Sequence, residues 1–69
     1  MQIYELTVPE LNRYRELCNF LDDEEVYFNM KSRGKSNIQI AMKLNVSEAQ
    51  VSKISRRVKD KMDRVDKFV

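Results

Sequence analysis

The 69-residue sequence contains no histidine and no tryptophan, and only one cysteine, one glycine and one proline. Without histidine, the commonest general base and metal ligand is missing. A lone cysteine, Cys18, forms neither an internal disulfide nor a multi-cysteine metal site. No apolar run approaches bilayer-spanning length, and the N-terminus lacks the pattern of a secretory signal. We therefore expect no metal, no cofactor, no enzymatic activity, no membrane partner and a cytoplasmic location.

The scarcity of glycine and proline also means few turns and long helices. Apolar residues make up 42% and charged residues 35% of the chain, which suits a folded domain rather than a disordered tail. A chain of this length has room for one modest core. We predict an all-α fold, a small bundle of about four helices, with residues 1–69 forming a single domain.

Residues typical of helix starts and helix ends predict the bounds of each helix. Residues 1–8 show no clear period and are expected to form an extended arm that packs Ile3 and Leu6 onto the body. Helix starts are indicated by a proline in a first turn, by serine and threonine caps, and by a run of four acids that suits the positive end of a helix dipole. Left-handed residues, a glycine and an asparagine, are expected at two helix ends. The predicted helices are Pro9–Cys18, Asp22–Arg33, Asn37–Leu44, and one from Ser47 to about Lys67. Capping boxes are predicted for Thr7 with Glu10 and for Ser47 with Gln50, and Ser36 is the predicted N-cap of the third helix. Gly34 and Asn45 are expected to end the second and third helices.

Apolar spacing predicts which faces point inward. The first helix presents Leu11, Tyr14, Leu17 and Cys18; the second presents Val26, Tyr27 and Met30, with Phe28 beside them; the third presents Ile38, Ala41, Met42 and Leu44; and the fourth presents Val51, Ile54 and Val58.

Charge is divided along the chain. Residues 1–30 carry seven acids and two bases, a net charge of −5, whereas residues 31–69 carry eleven bases and four acids, a net charge of +7. One face should therefore suit a polyanion, although two ordinary solvated faces would show the same division.

The stretch from Asn37 to Val58 has the layout of a helix-turn-helix: a short helix, a three-residue corner (Asn45, Val46 and Ser47) and a longer basic helix. Ala41 is small enough to let the two helices approach, and Val46 is expected to anchor the corner in the core. Burial of Val51, Ile54 and Val58 would hold the second helix in place.

Two runs, Gly34–Ala41 and Leu44–Val51, resemble the DNA-binding domain of LuxR-type regulators, whose pattern is roughly G-x-S-N-x-E-I-A…L-x-I-S-x-x-T-V. The run Val51–Met62 is similar to region 4 of sigma factors. The resemblance extends from about Phe20 to Met62. It departs from the pattern at Gln39, at Leu21, and in lacking a separate short dimerising helix.

The resemblance implies a small transcriptional regulator, associated with the nucleoid, that binds double-stranded DNA by laying the long C-terminal helix from Ser47 into the major groove. It divides the chain into an arm and support helix (1–20), the core (21–62) and a helix extension (63–69).

The resemblance, together with the predicted outward face, also assigns contacts. The residues expected to read base edges are Ala49, Ser52, Lys53 and Arg56. Those expected to contact phosphates are Lys35, Ser36, Ser47, Gln50, Arg57 and Lys59. Alternatively, the basic residues merely solubilise the helix.

The tail continues the apolar pattern through Met62, Val65, Phe68 and Val69, and Val51, Val58 and Val65 recur every seven residues. This pattern indicates either a homodimer seam or packing on the first helix. We favour packing through about Met62 and dimerisation beyond it. A second functional hypothesis is a protein-interaction adaptor that contacts RNA polymerase or another regulator, with DNA contact secondary.

Overall fold

In a computed structural model of the chain, residues 3–67 are described. A 3-10 turn at Ile3–Glu5 precedes four α-helices. They are α1 (Val8–Cys18), α2 (Asp22–Ser32), α3 (Asn37–Leu44) and α4 (Glu48–Lys67). No strand occurs between residues 3 and 67. The predicted all-α, four-helix architecture is confirmed.

The helix starts follow the sequence signals. The Thr7 amide donates to Glu10 Oε1 at 2.9 Å, and the Glu10 amide donates back to the Thr7 hydroxyl at 3.4 Å. Ser36 and Gln39 form the same reciprocal box. At α4, the Ser47 hydroxyl accepts from the Gln50 amide at 3.1 Å, which is one half of the box predicted there. These bonds satisfy amides that a helix start leaves without partners.

The helix ends rely on three left-handed residues, Asn19 (φ 54°), Gly34 (φ 78°) and Asn45 (φ 58°). After α2, the Gly34 amide donates to the Lys31 carbonyl at 3.0 Å and the Lys35 amide to the Met30 carbonyl at 3.0 Å. This pair of bonds is the Schellman motif, and glycine adopts its left-handed position without a steric penalty.

The core lies where α4 packs against α1, α2 and α3. Its fully buried side chains are Phe28, Ile40, Val51, Ile54 and Val58. The rings of Phe20 and Tyr14 lie against Phe28, with centroids 5.0 and 6.4 Å away. Ile3 and Leu6 are buried as predicted, but residues 3–5 form a 3-10 turn rather than an extended arm.

Several predicted core positions are wrong. Leu17, Ile38, Met42 and Val46 are exposed, whereas Ile40, which is not among the predicted inward positions, is fully buried. The eight residues of α3 have apolar side chains on two faces, and the sequence does not show which face is covered. In the structure, α2 and α4 cover the face with Ile40, Ala41 and Leu44.

The inward faces of α1 and α2 also differ from the predicted ones. In α1, the buried Leu11 and Cys18 leave Leu17 about 100° away around the helix, on the solvent side. In α2, Phe28 is at the centre of the core rather than beside the inward face, and Val26 is only half-buried.

Candidate nucleic-acid interface

The α3–α4 corner is built by backbone geometry. Asn45 adopts the left-handed conformation, and the next amide, that of Val46, donates to the Ala41 carbonyl at 3.0 Å. Ala41 is buried, as expected of a small residue where two helices approach closely. The Val46 side chain does not anchor the corner in the core, because the backbone bonds form the turn and the side chain faces solvent. Residues 37–67 therefore form a helix-turn-helix.

The two faces of α4 differ sharply over its first three turns. Val51, Ile54 and Val58 are at most 1% exposed. At about 100° per residue, Ala49, Ser52, Lys53 and Arg56 fall on the opposite side of the helix, and all four are exposed. The sequence-predicted base-reading residues thus share one solvent-facing strip, which we call the α4 strip.

Farther along the same side of α4, the exposed residues become acidic, with Asp60 and Asp63. Carboxylates there would be repelled by a phosphate backbone. The part of α4 that suits a polyanion is therefore its N-terminal portion, up to about Lys59.

A cleft of about 740 Å³ opens beside the start of α3. Among its lining residues are Lys35, Ser36 and Lys59, three of the predicted phosphate contacts. Lys31, which was not among the predicted contacts, also lines the cleft, as do the carboxylates of Asp63 and Asp66. Its ammonium lies 5.9 Å from the centre of the Tyr27 ring, and the Tyr27 hydroxyl donates to the Ser55 hydroxyl at 2.7 Å. The structure thus brings three lysines and two aspartates to one cleft.

Arg57, one of the predicted phosphate contacts, forms ion pairs with α2. Its guanidinium lies 2.8 Å from Asp23 Oδ2 and 3.1 Å from Glu24 Oε2. Its contact with phosphate stays a prediction, and the two carboxylates of α2 would compete with a phosphate for its charge. The acidic run was read only as helix-start chemistry; two of its four members are also ion-pair partners of α4.

Glu24 is the fully buried member of this ion-pair cluster, and the Lys61 ammonium binds its Oε1. Burial by itself would raise the pKa of the Glu24 carboxyl. The Lys61 hydrogen bond, the Leu21 amide at 3.0 Å and the charge of Arg57 outweigh burial, so the pKa is lowered. An ionised Glu24 therefore joins α2 to α4 and helps to fix the rotation of α4 about its axis.

Two other predicted phosphate contacts lie at the start of α4. The Ser47 hydroxyl is exposed but caps the helix, and Gln50 is half-buried. Ser36 is likewise exposed and caps α3.

The tail of α4 packs on its own chain. Val65 is buried and Met62 packs against the core, while the Tyr14 hydroxyl donates to Asp66 Oδ1 at 2.7 Å. This hydrogen bond to a carboxylate, together with burial, raises the pKa of Tyr14 to about 12. Within the single chain, Met62 and Val65 thus pack inward, and their part in a dimer seam stays a prediction. Phe68 and Val69 lie outside the described residues.

Neither a metal-binding cluster nor a bilayer-spanning helix is found among residues 3–67. A comparison with protein families matches residues 25–67 to the bacterial regulatory proteins of the luxR family. The chain belongs to the LuxR family. No curated protein and no solved structure gives a match.

The LuxR-family match covers most of α2 and all of α3 and α4, which together contain the helix-turn-helix. Membership makes the chain a DNA-binding regulatory protein at the level of the family. The segment with α1 lies outside the match, and it supplies the surface on which the end of α4 packs.

Proposed function

We propose that this LuxR-family protein reads double-stranded DNA by inserting the first turns of α4 into the major groove, as a sequence-specific transcriptional regulator of the nucleoid. The observation that carries the proposal is the opposition between the buried Val51, Ile54 and Val58 and the exposed α4 strip. An α-helix of this size fits the major groove, where each base pair presents its own pattern of donors and acceptors.

Within the α4 strip, Lys53 and Arg56 are suited to guanine O6 and N7, Ser52 to either donors or acceptors, and Ala49 to a thymine methyl group. The cleft lysines, Lys31, Lys35 and Lys59, neutralise phosphates beside the groove. The amides and hydroxyls at the starts of α3 and α4 add neutral phosphate contacts through Ser36, Ser47 and Gln50.

The test begins with selection of binding sites from a random duplex library, followed by titrations of the selected duplex. Arg56→Ala or Lys53→Ala should weaken binding by about 1–3 kcal/mol and relax base preference at one position. Lys31→Ala should weaken binding to all duplex sequences alike. It should also reduce the slope of log affinity against log salt concentration by about one.

The matched control is Lys67→Ala, an exposed basic residue in the last turn of α4, far from the groove-facing turns. It should leave affinity for the selected duplex nearly unchanged. Absence of salt-dependent duplex binding by the folded protein would refute the proposal. In that case, stable capture of purified RNA polymerase by a variant with Lys53 and Arg56 neutralised would favour the adaptor function instead.

A further inference from the structure

Arg57 lies at the edge of the α4 strip, on the side of α4 that faces α2. It follows Lys53 by four residues and so lies next to it along the helix. Its side chain is 44% exposed, which leaves the guanidinium within reach of an anion in solvent. On a helix that reads a groove with the α4 strip, a residue at this edge faces phosphates rather than base edges.

The Asp23 carboxylate is held in place by its own helix. Its Oδ1 accepts from the Glu24 amide at 2.8 Å, and its Oδ2 accepts from Arg57 Nη2 at 2.8 Å. The Asp23 side chain is 38% exposed, so water reaches both members of the pair. An exposed ion pair is weak, and arginine binds carboxylates and phosphates with the same planar set of N–H donors. Asp23 thus occupies a donor that a phosphate oxygen could use.

Glu24, the second acid beside Arg57, is less dependent on it. Its Oε1 accepts from Lys61 and from the Leu21 amide. Its Oε2 lies 3.1 Å from Arg57 Nε, but within residues 3–67 it accepts no hydrogen bond of good geometry. Movement of Arg57 Nη2 away from Asp23 would therefore leave the buried charge of Glu24 paired with Lys61.

Other acids lie within three residues of Asp23 or Arg57, and they are exposed: Asp22, Glu25 and Asp60. Each of them repels DNA whether or not Arg57 is bound to Asp23. An experiment on Asp23 therefore needs a second acid of α2 as its control.

We propose that Asp23 competes with DNA for Arg57: in the free protein Arg57 Nη2 binds Asp23 Oδ2, and on duplex binding it exchanges this oxygen for a phosphate oxygen. The exchange rests on the proposed function, since it requires α4 to lie in a groove. It makes Asp23 a residue that limits DNA affinity from outside the helix-turn-helix. Because a phosphate contact carries no sequence information, Asp23 lowers affinity for every duplex alike and leaves base preference unchanged.

The experiment measures the affinity of Asp23→Asn for the selected duplex and for an unrelated duplex. Asparagine keeps the shape of the side chain and an oxygen for the Glu24 amide, but removes the charge. Binding to both duplexes should strengthen by about two- to fivefold, the factor that corresponds to an exposed ion pair. Asp22→Asn, which makes the same change of net charge on the same turn, should have a smaller effect.

Arg57→Gln separates the exchange from general repulsion. In that background Asp23→Asn should strengthen binding no more than Asp22→Asn does, because the guanidinium for which Asp23 competes is absent. Arg57→Gln alone should weaken binding to both duplexes and reduce the slope of log affinity against log salt concentration by about one. Circular dichroism verifies that each variant is folded.

The ion pair itself is measured without DNA. A double-mutant cycle of Asp23→Asn and Arg57→Gln in urea unfolding should show a favourable coupling between the two residues. Absence of this coupling would overturn the proposal even if the protein binds DNA. So would an unchanged salt slope in Arg57→Gln, or an equal gain from Asp23→Asn with and without Arg57. A wild type that binds no duplex would refute the proposed function, and the exchange with it.

Discussion

Replacement of Lys61 by methionine tests the buried ion pair between α2 and α4. The change keeps the aliphatic length of the side chain but removes the ammonium that binds Glu24, whose side chain is 1% exposed. Removing one partner of a buried pair costs about 3–5 kcal/mol, because the other charge is left unpaired. Here Arg57 Nε remains 3.1 Å from Glu24 Oε2 and still offsets part of the charge of Glu24. Because the Arg57 side chain is 44% exposed, solvent partly screens this remaining attraction. We expect a loss of about 2–3 kcal/mol in the free energy of unfolding at neutral pH.

For a domain of this size, such a loss lowers Tm by roughly 8–24 °C. The assay is thermal and urea unfolding followed by far-ultraviolet circular dichroism, with Lys53→Met, an exposed lysine of the same helix, as the matched control. The pH dependence supplies a second signature. In the wild type the lowered pKa of Glu24 stabilises the fold above the ordinary carboxyl pKa, and this contribution disappears as pH falls through the folded pKa.

In the Lys61→Met variant, burial is no longer fully offset, so the pKa of Glu24 should rise. The difference in stability between wild type and variant should therefore shrink as pH falls below neutrality, because the carboxyl of the variant is protonated before that of the wild type. A loss no larger than that of Lys53→Met, or a difference that grows with acidification, would refute this account of the cluster.

Two further predictions concern the core and the end of α4. Ile40→Ala should lower the free energy of unfolding by about 2–5 kcal/mol, because Ile40 is 0% exposed, whereas Met42→Ala two residues later should cost little at low protein concentration; similar losses in urea unfolding would contradict the assignment of the α3 faces. Asp66→Asn should bring the pKa of Tyr14 from about 12 back toward its ordinary value of 10, because the accepting carboxylate is removed. In the wild type this contact stabilises the fold below that ordinary value, and its contribution is lost as pH rises from 10 through about 12. Tyrosinate absorbance during alkaline titration measures the shift, and Asp63→Asn, which should leave it in place, is the control.

Much of the local structure follows from the sequence because its causes are local. Hydroxyl caps, the Gly34 turn and the left-handed Asn45 act within three to five residues, so the bounds of α3 were predicted correctly and those of α1 and α2 to within one residue. The burial of Val51, Ile54 and Val58 was also predicted, because a 20-residue amphipathic helix has one apolar side and leaves no choice of face.

Other features were decided only when distant segments came together. The short α3 carries apolar residues on two sides, and contact with α2 and α4 selected Ile40 over Ile38 and Met42. The sequence separated Arg56 from Arg57 by helix face, but only the packing of α2 on α4 revealed that Arg57 pairs with Asp23 and Glu24.

Helix bounds and the buried side of α4 can thus be read from the amino-acid sequence, because hydrogen bonds within a few residues and a single amphipathic period specify them. Tertiary structure decided which apolar face of α3 is covered, which cations remain free for a polyanion, and how Lys31 joins Lys35 and Lys59 at one cleft. These depend on the position of α2 relative to α4, and charge pairing and burial across that contact involve residues more than thirty positions apart.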